Sequence, residues 1–189
     1  MTGKNRWTLG GGLASGKSKV RELLANHGVA TIDADQIGHQ VLASTGPAFS
    51  DVAERWPHVV EEGEIDRRAL ADVVFNDAGE LATLESLTHP HIFDAIRTMA
   101  EGIEATVVVE VPLLAHRLGE DWKTIIVDCR DEIRLVRAVD RGMTAEDARA
   151  RMAAQPPRQQ WLVAADVVIP NHDGFGELIS TVERLVPEL

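Results

Sequence analysis

A chain of 189 residues can bury one apolar core, or a core with a subdomain, without a covalent staple; its single cysteine, Cys129, excludes an intrachain disulfide and fits a reducing compartment. With 30 acidic against 19 basic residues the formal charge is −11, which disfavours non-specific binding to nucleic acid or to an anionic membrane, so an anionic ligand has to be met by local Lys, Arg and N–H groups. The absence of an N-terminal apolar h-region and of any run of membrane-spanning length leads to the expectation of a cytoplasmic protein, and composition is silent on oligomeric state.

The first predicted element is a short strand over residues 6–10 (RWTLG). It runs into Gly11-Gly12-Leu13-Ala14-Ser15-Gly16-Lys17-Ser18, which fits G-x-x-x-x-G-K-[ST], a loop whose backbone N–H groups wrap the phosphates of a nucleotide. Each residue type answers a chemical need. Gly11 and Gly16 let the backbone turn and close on the ligand, Lys17 places an ammonium on the β- and γ-phosphates, and Ser18 offers a hydroxyl to Mg²⁺. Such a pattern also arises by chance, and a Gly-rich turn capping an ordinary helix is the alternative. Context favours the phosphate loop: Val20, Leu23, Leu24 and Val29 recur at near-helical spacing through KSKVRELLANHG, with Gly28 as the stop.

The apolar strand 29–32 (VATI) comes next and is followed at once by Asp33-Ala34-Asp35. Open α/β sheets bind ligands at the carboxyl ends of their strands. Asp33 is therefore the catalytic candidate, able to orient an attacking hydroxyl, accept its proton late in transfer, or hold a Mg²⁺-bound water. Asp35 is read as a helix cap, and two capping aspartates are the plainer alternative for the pair.

Residues 45–104 form a long polar insert in which RRALADVVF, ELATLESL and HIFDAIRTMA predict several helices and Glu61-Glu62-Gly63-Glu64 a solvated turn. His89 and His91 flank Pro90, an i, i+2 spacing that separates them on a helix, with no Cys or carboxylate grouping to complete a zinc set. A helix is predicted to start at Pro90, with His89 touching a substrate or capping. Glu110 emerges from the strand 106–111, and two roles stand open for it: the metal-side acid of a nucleotide site, or a carboxylate buried by a partner elsewhere.

The strand 124–129 ends at Cys129, read as a small buried hydrophobe. Arginines 130, 134, 137, 141, 149, 151 and 158 then follow, a density that suits a mobile flap neutralising the charge of phosphoryl transfer. The competing picture is a solvated amphipathic helix with Thr144 as N-cap and Glu146 and Asp147 in its first turn, which Arg149 and Arg151 merely balance. Arg141, beside the hinge-like Gly142, is the functional candidate of the set. A last strand covers 166–169, and Trp7, Trp56, Trp122 and Trp161 are scattered packing residues. Nearly continuous apolar runs such as TVVVEV and TIIV predict an α/β fold with a mainly parallel sheet buried on both faces.

Taken in order, GGLASGKSKV, IDADQIGHQVL, GEIDRRALADVVF, LTHPHI, VVVEVPLL and ADVVIPN resemble the dephospho-CoA kinase family over nearly the whole chain. The resemblance implies a three-layer P-loop kinase fold with a five-stranded parallel sheet in the order 2-3-1-4-5. Its core would span about 1–44, 105–140 and 160–189, with a helical substrate subdomain at about 45–104 and a helical lid at about 141–159. The implied activity is ATP-dependent phosphorylation of the ribose 3′-hydroxyl of dephospho-CoA, the last step of coenzyme A synthesis. ATP and Mg²⁺ are the implied cofactors and dephospho-CoA the small-molecule partner, with neither nucleic acid nor membrane involved. Carried onto this chain, ATP would be held by Gly11, Gly12, Leu13, Ala14, Ser15, Gly16, Lys17, Ser18, Lys19 and Arg141, and Mg²⁺ by Ser18. Asp33, Lys17 and Arg141 would carry catalysis, and Asp33, His89, Arg97, Glu110 and Leu113 would meet the acceptor.

The chain also departs from the family pattern. Lys19 and Gly10 stand where Thr is usual, Glu110 where Asp is usual, and Ala115-His116 where Phe-Glu often follows P-L-L. Around the lid the family's R-D-G is replaced by Asp140-Arg141-Gly142. These departures define the alternatives: a kinase for another nucleotide-like alcohol, or a divergent paralogue that binds ATP or a CoA precursor with little turnover. A GTPase is the weakest, because Asn171-His172-Asp173 is not the N-K-x-D that reads guanine.

Overall fold

The computed structural model describes residues 5–112, 118–119 and 121–189. In chain order the elements are β1 (Arg6–Gly10), α1 (Lys17–Asn26), β2 (Ala30–Asp33), α2 (Ala34–Val41), α3 (Phe49–Arg55), β3 (Val60–Glu61), β4 (Glu64–Ile65), α4 (Arg67–Val74) and α5 (Ala78–Glu101). Then follow β5 (Val107–Glu110), β6 (Lys123–Asp128), α6 (Asp131–Asp140), α7 (Ala145–Ala153), α8 (Arg158–Val163), β7 (Val167–Pro170) and α9 (Phe175–Leu185). The chain divides into two compact units, residues 1–33 with 100–189 and residues 34–99.

The first unit holds a five-stranded sheet in the order β2-β5-β1-β6-β7, with every pairing parallel. Among the strands of this sheet alone that is second, third, first, fourth, fifth; the hairpin strands β3 and β4, which the sequence patterning did not reveal, shift the numbering. Strands covered on both faces need no polar alternation, which is why β1 and β5 are buried at every residue. On one face Val20, Leu23 and Leu24 of α1 and Leu178, Val182 and Leu185 of α9 join Leu9, Val108, Ile125 and Ile169 in one apolar cluster. Helix α1 stops where predicted: His27 is its C-cap and Gly28 follows with φ +81°, the left-handed turn that closes helix ends.

Beyond the sheet, Ala14 of the phosphate loop packs with Ala138 of α6 and Ala148 of α7, flanked by Leu13, Leu135 and Met143. Thr144 is the N-cap of α7, its Oγ1 accepting the Asp147 amide at 3.1 Å, while Arg149 and Arg151 lie exposed on that helix. The buried Arg6 donates to the carbonyls of Ala100, Ile103 and Ala105 at 2.6, 2.8 and 3.1 Å, satisfying backbone acceptors around the end of α5.

Within the second unit, Trp56 is buried and donates its Nε1–H to Glu80 at 2.9 Å, and Val52, Val59, Leu70 and Val74 are buried as well. The acidic stretch is the turn of the β3–β4 hairpin, with Glu62 at φ +50° and Gly63 at φ +81°, the positive pair that a tight two-residue turn requires. Pro90 does not start a helix; it lies inside α5. The start signal is instead Asp77, whose Oδ1 accepts the amides of Gly79 and Glu80 at 2.8 and 3.2 Å. A helix 24 residues long forgoes the one hydrogen bond that proline cannot donate and continues past it to Glu101. Among the described residues no helix is long and apolar enough to cross a membrane.

Candidate active site

Strand β1 delivers the chain into the phosphate loop, and the loop is held from outside by side chains. Gly16 is the N-cap of α1 at φ +105°, and a Cβ there would collide with the Asn171 amide. That amide, buried at the end of β7, donates to the Ser15 carbonyl at 2.7 Å and accepts from Arg137 Nη2 at 3.2 Å. Arg134, only 5% exposed, donates from Nε to the Leu13 carbonyl and from Nη2 to Gln155 Oε1, both at 2.8 Å, and the same Oε1 accepts the Leu13 amide at 2.8 Å. Gly10, one of the departures from the family pattern, has a packing reason: a Cβ would lie 2.9 Å from Ile126 Cδ1 and 3.5 Å from the Trp161 ring.

The loop fits the phosphates of a nucleotide on its own features. The amides of Gly16, Lys17 and Ser18 stand at the N-terminus of α1, where no intrahelical acceptor exists and the helix dipole favours an anion. Ala14 sits at φ +56°, a strained conformation of the kind found where backbone amides converge on a ligand. The Ser15 hydroxyl is buried without a hydrogen-bond partner among the described residues. Lys17 Nζ reaches back over the loop to the carbonyls of Gly11 at 2.8 Å and Gly12 at 3.4 Å, which keeps its charge at the cradle.

Beside the cradle, four side chains form a line. Ser18 Oγ donates to Glu110 Oε1 at 2.9 Å, Arg21 Nε donates to Glu110 Oε2 at 2.7 Å, and Arg21 Nη2 lies 3.0 Å from Asp33 Oδ2. Register explains the meeting, since Asp33 and Glu110 are paired across the neighbouring strands β2 and β5. Glu110 therefore faces the Ser18 hydroxyl and has a cationic partner in Arg21, contacts that fit either of the roles left open for it. Asp35 is not a cap, because β2 passes into α2 without an intervening residue and Asp35 is already in the first helical turn, where the dipole favours it. One hydroxyl next to one carboxylate suits Mg²⁺, which keeps several waters and takes its remaining ligands from phosphates. No caged cluster of three or more His, Cys, Asp or Glu occurs among the described residues.

On the far side of the loop, Asp128 at the end of β6 receives both Nε and Nη2 of Arg158 at 2.6 Å, and His172 Nε2 approaches its Oδ2 at 3.3 Å. The Arg158 hydrogen bonds hold the Asp128 carboxyl below its ordinary value against the opposing effect of burial, and Asp128 in turn raises Arg158. Burial pushes the Cys129 thiol up, so it stays protonated and inert, as a small buried hydrophobe should. A depressed carboxyl contributes stability that is full above the unfolded value of about 3.9 and is lost as pH falls through the lower folded value. Thermal unfolding followed between pH 6 and about pH 2.5 is therefore expected to show a steeper loss below about pH 4 for the parent than for Asp128→Asn. Parallel curves would remove Asp128 from the acid response.

The remaining predicted residues are placed as follows. Lys19 pairs with Glu22 at 2.8 Å and lies 4.9 Å from the centroid of the Phe175 ring. Arg141 is the exposed C-cap of α6, ahead of Gly142 at φ +93°. His89 and Arg97 belong to the second unit, His89 tilted against Phe93 at 5.4 Å between centroids and Arg97 paired with Asp94 at 3.0 Å. Leu113, and with it Ala115-His116, lies outside the described residues. Arg21, Gln155 and Asp128 were not singled out by sequence patterning. Only Arg21 carried a signal, its spacing of three from Ser18 and four from Lys17 on one helix face.

Residues 7–177 match the family model for dephospho-CoA kinase. The chain belongs to the dephospho-CoA kinase family. It is 40% identical over 177 residues to the dephospho-CoA kinase of Streptomyces avermitilis, covering 90% of this chain and 86% of that one. Identity to the dephospho-CoA kinase of Corynebacterium glutamicum is 35% over 191 residues, with 96% and 97% covered. Among solved structures, a Thermus thermophilus protein superposes with a TM-score of 0.85 at 29% identity, over 98% of both chains. The dephospho-CoA kinase from Campylobacter jejuni gives 0.68 at 26%, over 98% of this chain and 97% of that one. A shikimate kinase from Bacteroides thetaiotaomicron, at 14% identity and a TM-score of 0.53, shares the fold.

Proposed function

We propose that this chain transfers the γ-phosphoryl group of ATP to the ribose 3′-hydroxyl of dephospho-CoA, giving coenzyme A and ADP in the cytoplasm. Family membership supports the reaction, and the observation that carries the mechanism is the line Ser18–Glu110–Arg21–Asp33 beside the phosphate cradle. Lys17 and the amides at the start of α1 would hold the β- and γ-phosphates, and Ser18 with Glu110 would hold Mg²⁺. Bound there, the metal supplies positive charge to the phosphate oxygens.

Asp33 orients the acceptor hydroxyl for in-line attack and takes its proton as the new P–O bond forms and the bond to ADP breaks. Arg141 is the proposed clamp on the transferring phosphoryl, and His89, Arg97 and Leu113 are proposed acceptor contacts on the strength of the sequence resemblance. Phosphoryl transfer demands little covalent chemistry of a protein, so positioning and charge supply most of the rate.

A coupled ADP-release assay with Mg·ATP and dephospho-CoA, its product identified by mass spectrometry, tests the reading, with Lys17→Ala as the blank. Coenzyme A from the parent and none from the blank is the expected result. ATP binding without coenzyme A would overturn it.

A further inference from the structure

Asp33 and Glu110 are register partners on adjacent parallel strands, so two carboxylates leave the sheet side by side at the edge where the acceptor hydroxyl has to be activated. Like charges so placed repel, and nothing in the proposed chemistry by itself fixes the plane of either one. The guanidinium between them comes from α1, whose N-terminus is the phosphate cradle: Arg21 is four residues after Lys17 and three after Ser18. It binds the two acids through different nitrogens, Nε to Glu110 Oε2 at 2.7 Å and Nη2 to Asp33 Oδ2 at 3.0 Å. The Arg21 side chain is 26% exposed, that of Asp33 16% and that of Glu110 11%, so these contacts are largely withdrawn from water.

We infer that Arg21 is a positioning residue for phosphoryl transfer: it fixes the orientation of the Asp33 carboxylate relative to the nucleotide cradle and to Glu110. The inference rests on the kinase reading above. A planar fork with fixed donor directions sets the angle between two carboxylates, whereas an ammonium on a flexible stem would neutralise them without orienting them. Because the fork is rooted on the helix that starts at the phosphates, the distance from cradle to base is set by one turn of rigid backbone. Arg21 touches neither reacting atom and acts through Asp33.

The test uses the full chain in the coenzyme A assay. Arg21→Met is expected to lower kcat by about 10- to 100-fold, the scale on which a misplacement of about 1 Å is felt, with the KM for ATP close to the parent's; the unfolding temperature falls too, because two partly buried carboxylates lose their shared cation, so kcat is read well below it. Arg21→Lys keeps the charge and is expected to recover only part of the loss; full recovery would overturn the fork argument, and this variant carries the test if the Met variant unfolds. In an Asp33→Asn background, Arg21→Met is expected to cost less than about twofold more, because its route to the reaction is already gone.

Equal factors in the two backgrounds, or a parent-like kcat for Arg21→Met, would overturn the inference. A parent that makes no coenzyme A would instead overturn the kinase reading, and the same assay reports it.

Discussion

Asp33→Asn is expected to lower kcat for coenzyme A formation by about 10²–10⁴-fold while the KM for ATP stays near the parent value. The substitution is nearly isosteric and keeps an oxygen that can accept the acceptor hydroxyl, but it removes the charge that draws the proton away as the new P–O bond forms. A loss near 10² would mean that Asp33 chiefly orients the nucleophile, which a loose transition state with little proton transfer requires; a loss near 10⁴ would mean that it takes the proton. ATP binding should survive, because the loop is anchored at Leu13 by Arg134 and Gln155 and at Ser15 by Asn171, none of which touches Asp33, and Lys17 is held by the carbonyls of Gly11 and Gly12. The stability cost is expected to be about 1 kcal/mol or less, since the ion pair with Arg21 is partly open to solvent and Glu110 keeps its own bond to that arginine. Steady-state kinetics with both substrates varied, alongside thermal unfolding, decides the matter. Turnover at the parent level would remove Asp33 from the mechanism.

The parts of this arrangement that could be read from the chain were those written in contiguous residues. The phosphate loop declares itself because eight neighbouring positions must each meet a steric or chemical demand, and a strand before and a helix after are needed to aim it. The sheet strands declare themselves as apolar runs, because burial on both faces abolishes polar alternation. Thr144 as an N-cap and Cys129 as a buried hydrophobe follow from local rules in the same way.

What local rules missed is instructive. Pro90 is a legitimate start signal, but Asp77 had already capped the helix one long stretch earlier, and a helix once under way tolerates the loss of a single hydrogen bond. The hairpin strands are two residues each, too short for any periodicity to show. The contacts that define the site join residues far apart in sequence, Arg21 to Glu110 across 89 positions and Asp128 to Arg158 across 30. Which of many arginines meets which acid depends on strand register, and register is a property of the folded sheet. The spacing of Arg21 from Ser18 puts the two on one helix face, but only the pairing of β2 with β5 shows what Arg21 holds.

Arg134→Met is expected to destabilise the protein by about 3 kcal/mol, which for a chain of this size lowers the unfolding temperature by about 6–12 °C, and to weaken ATP binding as well. Methionine fills most of the volume but donates nothing. Three charge-assisted bonds are lost, to the Leu13 carbonyl, to Gln155 Oε1 and to Asp131 Oδ1, each 2.8 Å long. Asp131 is exposed and regains water, so its share is small; Leu13 and Gln155 are partly buried and regain less. The effect on nucleotide follows from where those groups sit. Gln155 holds the Leu13 amide with the same oxygen that Arg134 holds, so releasing the arginine frees the glutamine and with it the crest of the loop. Gly12 belongs to the same device, for the guanidinium lies where its Cβ would be, and Gly12→Ala should expel Arg134 and reproduce much of the phenotype. A cradle that must first be ordered binds its ligand with the ordering cost deducted, so the stabilisation that saturating ATP confers should be smaller in Arg134→Met than in the parent. Calorimetric unfolding with and without ATP reads both effects. An unfolding temperature within about 2 °C of the parent's, or an undiminished ATP shift, would mean that the loop holds its shape without the arginine.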